Sequence, residues 1–273
     1  MTERRVLVER RVFLRLSVSR HPFHSLVQPP TAIETSGSHT AILFFSHRPE
    51  REWQNKWFVR QDYAKNRRVA TAFYQHARRA VADSPLPVFE VNGPRQRGND
   101  FGTRFANAIA DAFAQGYERV IAVGSDCPRL DEVDWQAVAT RLDEGTPVLG
   151  PTPERDGTYL IGLRRSQFDR EAFASLPWKT SALFSALAHH LAAQAGDDPA
   201  LLAPRDDING HEDLIALTRS AVAALATLVA ALRAILGPTG HIGRTGTGKS
   251  ATHFCGRRSR APPALSTSMR PSA

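Results

Sequence analysis

"RVIAVGSDCPRL", Arg119 to Leu130, carries the turn on which the fold reading rests. Four apolar residues, Val120 to Val123, run into Gly124, Ser125, Asp126, Cys127 and Pro128. A short continuous apolar run of this kind reads as a strand buried on both faces, as in parallel sheets. Gly124 allows close backbone approach, and Pro128 stops the ladder from continuing. Asp126 is thereby placed at the carboxyl end of the strand, the edge outside which open parallel sheets bind ligands. A carboxylate there has two common uses. It holds a hard divalent cation that in turn binds a diphosphate, or it caps the next helix.

Working outward, "AILFF" (41–45) reads as another buried strand, followed by a polar, basic loop over 46–60. The spacing in 64–82 puts Val69, Phe73, His76 and Ala80 on one helical stripe, with His76 as a partly buried spacer. Pro85 and Pro87 stop that helix, and "VFEV" is a second strand. A glycine-punctuated loop (92–102) opens a helix over 103–115 that Gly116 ends. Then follow a helix at 131–144, strands at 147–151 and 157–163, a helix at 179–195, a strand near 200–204 and a short helix at 211–218. Alternating strands and helices predict a single three-layer α/β domain over 39–218, Rossmann-like, with a mostly parallel sheet.

The 273-residue chain has a net charge of +8, which first suggests a nucleic-acid partner. The distribution argues otherwise. Residues 1–38 carry +3 and residues 219–273 carry +8, leaving the middle at −3. Nucleic acid is therefore not the expected partner. "QPPTAIETSGSHT" (28–40) reads as a linker, so 1–38 is expected to be a disordered extension, with an Arg-rich transit peptide as the alternative. The Ala- and Leu-rich stretch 219–236 reads as a helix, and the sequence leaves open whether it packs on the domain. Residues 237–273 read as a basic disordered tail. "GRTGTGKS" (243–250) matches a phosphate-loop pattern, but no buried strand precedes it and no nucleotide-hydrolysing domain follows. Cys127 and Cys255 form no disulfide framework, and no apolar run reaches the ~20 residues of a membrane span. A reducing cytoplasm is the expected location. Cys127 has no histidine near it in sequence and reads as a small packing residue.

Three other stretches bear on Asp126. "QRGNDFGTRF" (96–105) joins a Gly-rich loop to a helix start, where backbone amides and Arg104 suit a phosphate; the alternative is a tight turn capped by Asn99 or Asp100. "GPTPERDGTYLIGL" (150–163) enters a strand through Asp156 and Gly157; its alternative is a plain hairpin turn. "DDINGHEDL" (206–214) places Asp207 as a second metal ligand, or else simply caps a helix with acidic residues.

Taken in order, "QRGNDFGTR", "GSDCPRL", "LGPTPERDGTYLIGL", "PWKTSAL" and "DINGHEDL" resemble the bacterial arsenosugar-biosynthesis-type glycosyltransferase family, a glycosyltransferase-A-like branch of the nucleotide-diphospho-sugar transferase superfamily. The resemblance covers about residues 40–218. It implies a metal-dependent transferase with Mg²⁺ or Mn²⁺ on Asp126 and Asp207, and with Asp126 and Asp156 in catalysis. Gln96, Gly98, Asn99, Gly102 and Arg104 match the loop that faces the nucleotide, while Tyr159, Trp178 and Thr180 match segments lining the donor pocket. Trp178 also reads as an ordinary core aromatic. The implied partners are a nucleotide sugar or nucleotide and a small-molecule acceptor. Nucleotidyl transfer with pyrophosphate release, or a non-catalytic nucleotide-binding module, are the alternatives.

Three positions depart from the family pattern. The loop after the first strand, "SHRPEREWQNKWF", lacks glycine, so Lys56 or Arg51 is left to supply positive charge. Thr158 replaces a glycine, which would suggest a remodelled left-handed position. Asn209 replaces an aspartate and is a weaker ligand for a hard cation.

Overall fold

β1 (Thr40–Ser46) is buried along its whole length, and its alternate side chains set the layering. Ile42 and Phe44 join one hydrophobic cluster, Leu43 and Phe45 another. β3 (Arg119–Val123) divides the same way, with Ile121 and Val123 on the first side and Val120 and Ala122 on the second. Strands covered on both faces need apolar residues at every position, and this is why these two read as unbroken runs.

In the computed structural model, which describes residues 39–49, 51 and 56–237, these strands lie at the centre of a six-stranded sheet of order β2-β1-β3-β5-β4-β6. The others are β2 (Val88–Asn92), β4 (Val148–Pro151), β5 (Thr158–Arg164) and the two-residue β6 (Ala200–Leu201). β1 pairs in parallel with β2 and β3, and β4 in parallel with β6. Only β5 runs the other way, antiparallel to both β3 and β4. The sheet is thus mostly parallel, as the sequence predicts. The exception arises because β4 and β5 are joined by a tight turn, and a short turn can connect only antiparallel strands.

α1 (Tyr63–Ala82) and α3 (Trp135–Asp143) cover the first face; α2 (Phe101–Ala114), α4 (Arg170–Ala174) and α5 (Leu183–Ala195) cover the second. Asp62, Asp100, Asp134 and Asp169 each accept hydrogen bonds from first-turn amides and start α1, α2, α3 and α4. α6 (His211–Arg219) and α7 (Ala226–Leu236) lie outside α1, where Leu214, Leu217, Leu228, Val229 and Leu232 meet Phe58, Val69 and Phe73. The Ala/Leu stretch therefore has a packed apolar face.

Several boundaries differ from the sequence reading. The helix expected over 131–144 opens as a 3-10 turn (Leu130–Glu132), becomes extended at Val133, and turns α-helical only once Asp134 caps it. The helix expected from 179 starts at Leu183, because Lys179 has a left-handed φ of 65°. α4 was not anticipated; five residues are too few to show a periodic pattern. Residues 1–38 and 238–273, with the phosphate-loop pattern and Cys255, lie outside the described residues. Among the described residues no single helix is long and apolar enough to cross a membrane.

Leu232 is fully buried between α7 and α1. Leu232→Ala should cost about 2–5 kcal/mol in urea unfolding with an unchanged m-value. A loss within experimental error would mean that α7 is not part of the cooperative unit.

Candidate functional site

The chain leaves β1 for β2 on one side and returns to β3 on the other, so strand order reverses at β1. A reversal of this kind opens a crevice outside the carboxyl ends of the two strands. A cavity of about 600 Å³ lies there, walled by Phe45, Ser46 and His47 from the end of β1 and by Val123 to Cys127 from the end of β3. Gly124 is on this wall, and an added Cβ would meet only Phe45 O, at 3.9 Å. The protein's own packing does not require a glycine there, so its small size serves the cavity.

The segment after β6 crosses the carboxyl edge of the sheet. Leu202 N donates to Leu149 O at 2.9 Å, Arg205 N to Pro151 O at 3.1 Å, and Ile208 N to Asp126 O at 3.0 Å. This path carries Asp207 to Asp126. Burial pushes the Asp207 carboxyl up to about 7, and the neighbouring Asp126 charge adds to the rise, while Lys56 and the Asn209 amide oppose it. Asn209 Nδ2 donates to Asp207 Oδ2 at 3.2 Å. An aspartate at position 209 would put a third negative charge there instead. Arg205 braces the crossing from behind, donating to Glu132 Oε2 at 2.8 Å, to Arg129 O at 2.7 Å and to the Tyr159 hydroxyl at 3.2 Å. Arg129 and Arg205 in turn hold the Glu132 carboxyl below its usual range, the hydrogen bond from Arg129 contributing most.

Basic side chains share the cavity with the carboxylates. Lys56 Nζ lies 2.6 Å from Asp126 Oδ2 and donates to Ile208 O at 3.2 Å. His47 and Lys179 line the same cavity. Burial lowers the pKa of His47, and the positive charges of Arg104 and Lys179 lower it further. Lys179 keeps a left-handed backbone at the cavity wall, a conformation disfavoured for a residue with a Cβ. Arg51, the alternative to Lys56, is exposed and does not line the cavity.

Of the residues singled out in the sequence, Gln96, Asp126, Asp156, Tyr159, Trp178, Thr180 and Asp207 surround this one cavity, whereas Gly98, Asn99, Gly102 and Arg104 are not on its wall. Gln96 Nε2 donates to Ser46 O at 2.8 Å and pins the end of β1. Asn99 is exposed, and Asp100 rather than Asn99 caps α2, accepting from Thr103 N at 2.8 Å. Gly98 adopts a φ of 139°. At Gly102 a Cβ would collide with the Ala174 carbonyl and the Trp178 ring, so this glycine seats Trp178 against α2. Trp178 packs among Phe101, Phe105 and Phe173 and donates from Nε1 to Phe173 O at 2.9 Å. It is a core aromatic that also faces the cavity. Thr180 closes a turn by donating to Pro177 O at 2.7 Å. Tyr159 is buried against Gly150, where a Cβ would come within 2.5 Å of the ring, and its hydroxyl donates to Ala203 O at 3.1 Å. Burial also pushes the Cys127 thiol up to about 12, which fits a packing role.

The turn between β4 and β5 is organised by Thr152. Its hydroxyl donates to Asp156 Oδ1 at 2.8 Å and accepts from Gly157 N at 3.1 Å. The hairpin alternative for this stretch therefore holds, and Asp156 still faces the cavity. Thr158 has no left-handed backbone; it begins β5 and donates to Gly150 O at 2.8 Å. The left-handed conformation that a glycine would permit is not used here, and strand geometry accepts threonine readily. A second recess of about 490 Å³ adjoins the first and shares Thr152, Asp156, Asp207 and Asn209 with it; Glu154, Asp206 and Asp213 make its wall acidic.

Among the described residues no cluster of three or more His, Cys, Asp or Glu gathers as a metal cage. Mg²⁺ and Mn²⁺ do not need one, since a site of one or two carboxylates completed by water and substrate phosphate is usual for Mg²⁺. Asp126 and Asp207 supply such a pair, and the Lys56 ammonium stands as a positive charge against Asp126 Oδ2. The donor set fits.

Sequence reasoning missed His47, Lys179 and Arg205. His47 directly follows β1 and was open to the same carboxyl-edge rule that located Asp126.

The fold and the site define an α/β domain with a crevice at a strand-order reversal, lined by charges of both signs. The family model described as "Uncharacterized protein conserved in bacteria (DUF2064)" matches residues 59–180, a span that includes Asp126 and Asp156 but neither Lys56 nor Asp207. A crystal structure from Desulfovibrio desulfuricans G20, provisionally described as a nucleotide-diphospho-sugar transferase, is similar with a TM-score of 0.61 and 22% identity, covering 72% of this chain and 95% of that one. No curated protein matches.

Asp207 yields a pH prediction. Its folded pKa is raised above the unfolded value of about 3.9, so the stabilisation from holding its proton is complete below about pH 4 and is lost as pH rises through about 7. In chelator-treated buffer, Asp207→Asn should raise Tm at pH 8 and give no gain at pH 4. Equal effects at both pH values would contradict the raised pKa.

Proposed function

We propose that the chain is a transferase acting on a nucleotide-activated donor, with a nucleotide-diphospho-sugar as that donor and glycosyl transfer as the reaction. One observation carries this reading: a pair of carboxylates, Asp126 and Asp207, shares the wall of one cavity at the sheet's carboxyl edge with two lysines, Lys56 and Lys179. The five ordered motifs support the arsenosugar-type branch of the superfamily, and the fold likeness supports the superfamily as a whole.

Asp126 and Asp207 would hold Mg²⁺ or Mn²⁺, which when bound neutralises charge on a leaving diphosphate. Lys56 and Lys179 attract and orient the diphosphate, with Arg104 adding to the same positive field and the neutral His47 imidazole offering a hydrogen bond. The buried side of the cavity, formed by Phe101, Phe105 and Trp178, excludes water from the donor. Asp156, steadied by the Thr152 hydroxyl, faces both recesses and receives the proton of an acceptor hydroxyl entering from the acidic one. The resulting division is simple: the anionic donor lies on the cationic side, and a neutral or cationic acceptor on the other.

A thermal-shift series with nucleotides and nucleotide sugars, with and without Mn²⁺, tests the reading. The wild type should be stabilised by a nucleotide-diphospho-sugar. Gly124→Val should keep its own Tm and lose most of that shift, because Gly124 lines the cavity and a Cβ added there meets nothing of the protein closer than 3.9 Å. Release of nucleoside diphosphate on adding acceptor supports glycosyl transfer. Release of pyrophosphate from a nucleoside triphosphate would replace it with nucleotidyl transfer, and binding without turnover would leave a binding module.

A further inference from the structure

The protein's own hydrogen bonds fix the backbone around Lys56. Asn66, fully buried in α1, accepts from Phe58 N at 2.7 Å and Val59 N at 3.0 Å and donates to Lys56 O at 2.8 Å. Phe58 is buried against Phe73, with ring centroids 5.6 Å apart, and its carbonyl accepts from His211 Nδ1 at 2.7 Å. The backbone that carries Lys56 is thus tied to α1 and α6. The side chain, 14% exposed, brings its ammonium to Asp126 Oδ2 at 2.6 Å and to Ile208 O at 3.2 Å. A positive charge among a carboxylate and a backbone carbonyl has the surroundings of a hard metal ion. One carboxylate cannot give its best charge to both.

We propose that Lys56 is an internal competitor for the divalent cation. Its ammonium holds Asp126 in the ligand-free protein and must move aside before Asp126 can bind a metal ion, so Lys56 sets the cation affinity of the site. The inference rests on the reading of Asp126 and Asp207 as the cation-holding pair. The ion pair offsets part of the repulsion between those two carboxylates when no metal is present. Once displaced, the ammonium stays on a flexible four-carbon stem beside the cavity, where a donor phosphate can receive it. Lys56 is a positioning residue in this scheme: it acts on the metal ion through Asp126.

The test is a calorimetric titration of the full chain with Mn²⁺ alone, comparing wild type, Lys56→Met and Lys56→Gln, each with and without Asp126→Asn. Circular dichroism checks folding, and the glutamine variant serves if the methionine variant does not fold. Both Lys56 variants should bind Mn²⁺ roughly tenfold more tightly than wild type, and Asp126→Asn should abolish the gain. A merely structural lysine would loosen the site and weaken binding, so unchanged or weaker Mn²⁺ affinity overturns the proposal. Nucleoside diphosphate binding, followed by Tm on the same variants in chelator and again with Mn²⁺ added, separates the two readings. If a nucleotide still raises Tm while no variant binds Mn²⁺, the competitor is overturned and the donor reading stands. Tightened Mn²⁺ binding with no nucleotide effect supports the competitor and removes the donor.

Discussion

Two carboxylates held together in one crevice favour a positive charge beside them, and much of this molecule is arranged around that need. Asp126 comes to its place because β3 ends at the carboxyl edge of the sheet, and Asp207 because the segment after β6 hydrogen-bonds its way across that edge to Asp126 O. Burial and mutual repulsion lift the Asp207 carboxyl. Lys56 answers with a direct ion pair, and Asn209 with an amide where a carboxylate would worsen the repulsion. Arg205 and Glu132, joined behind the crossing segment, keep the second carboxylate from retreating.

The glycines and aromatics around this centre serve two different ends. Gly102 and Gly150 are required by the protein itself, because the rings of Trp178 and Tyr159 occupy the space a Cβ would need. Gly124 is required by nothing in the protein and leaves its space to the cavity. Residues that look alike in the sequence thus separate into scaffold and opening only when their surroundings are known. Trp178 belongs to both groups, since its ring is bonded into the second core through Phe173 O while it borders the crevice.

The sheet was legible because β1 and β3 carry unbroken apolar runs, 41–45 and 120–123, and Asp126 was legible because a charge at the end of such a run has few places to go. Asp207 was visible only as an acidic residue ahead of a helix; its approach to Asp126 depends on backbone bonds from Leu202, Arg205 and Ile208 that no local pattern announces. The Lys56–Asp126 contact spans a glycine-free loop and is set by the buried Asn66, a residue that looks like an ordinary polar position of α1. α4 was hidden by its brevity, and the start of α5 by one left-handed lysine. The glycine-rich loop at 96–102 read either as a phosphate cradle or as a tight turn capped by Asn99 or Asp100; Asp100 caps α2, Gln96 binds the end of β1 and Gly102 makes room for Trp178.

The two-residue β6 has an effect beyond the site. Exposed edges of sheets are templates on which foreign strands can grow. Here the strand at one border is too short to offer a ladder, and the chain soon leaves it through Pro204 to cross the sheet's carboxyl edge. The detour that delivers Asp207 to its partner also blunts that margin, so one stretch of backbone serves chemistry and guards against self-association.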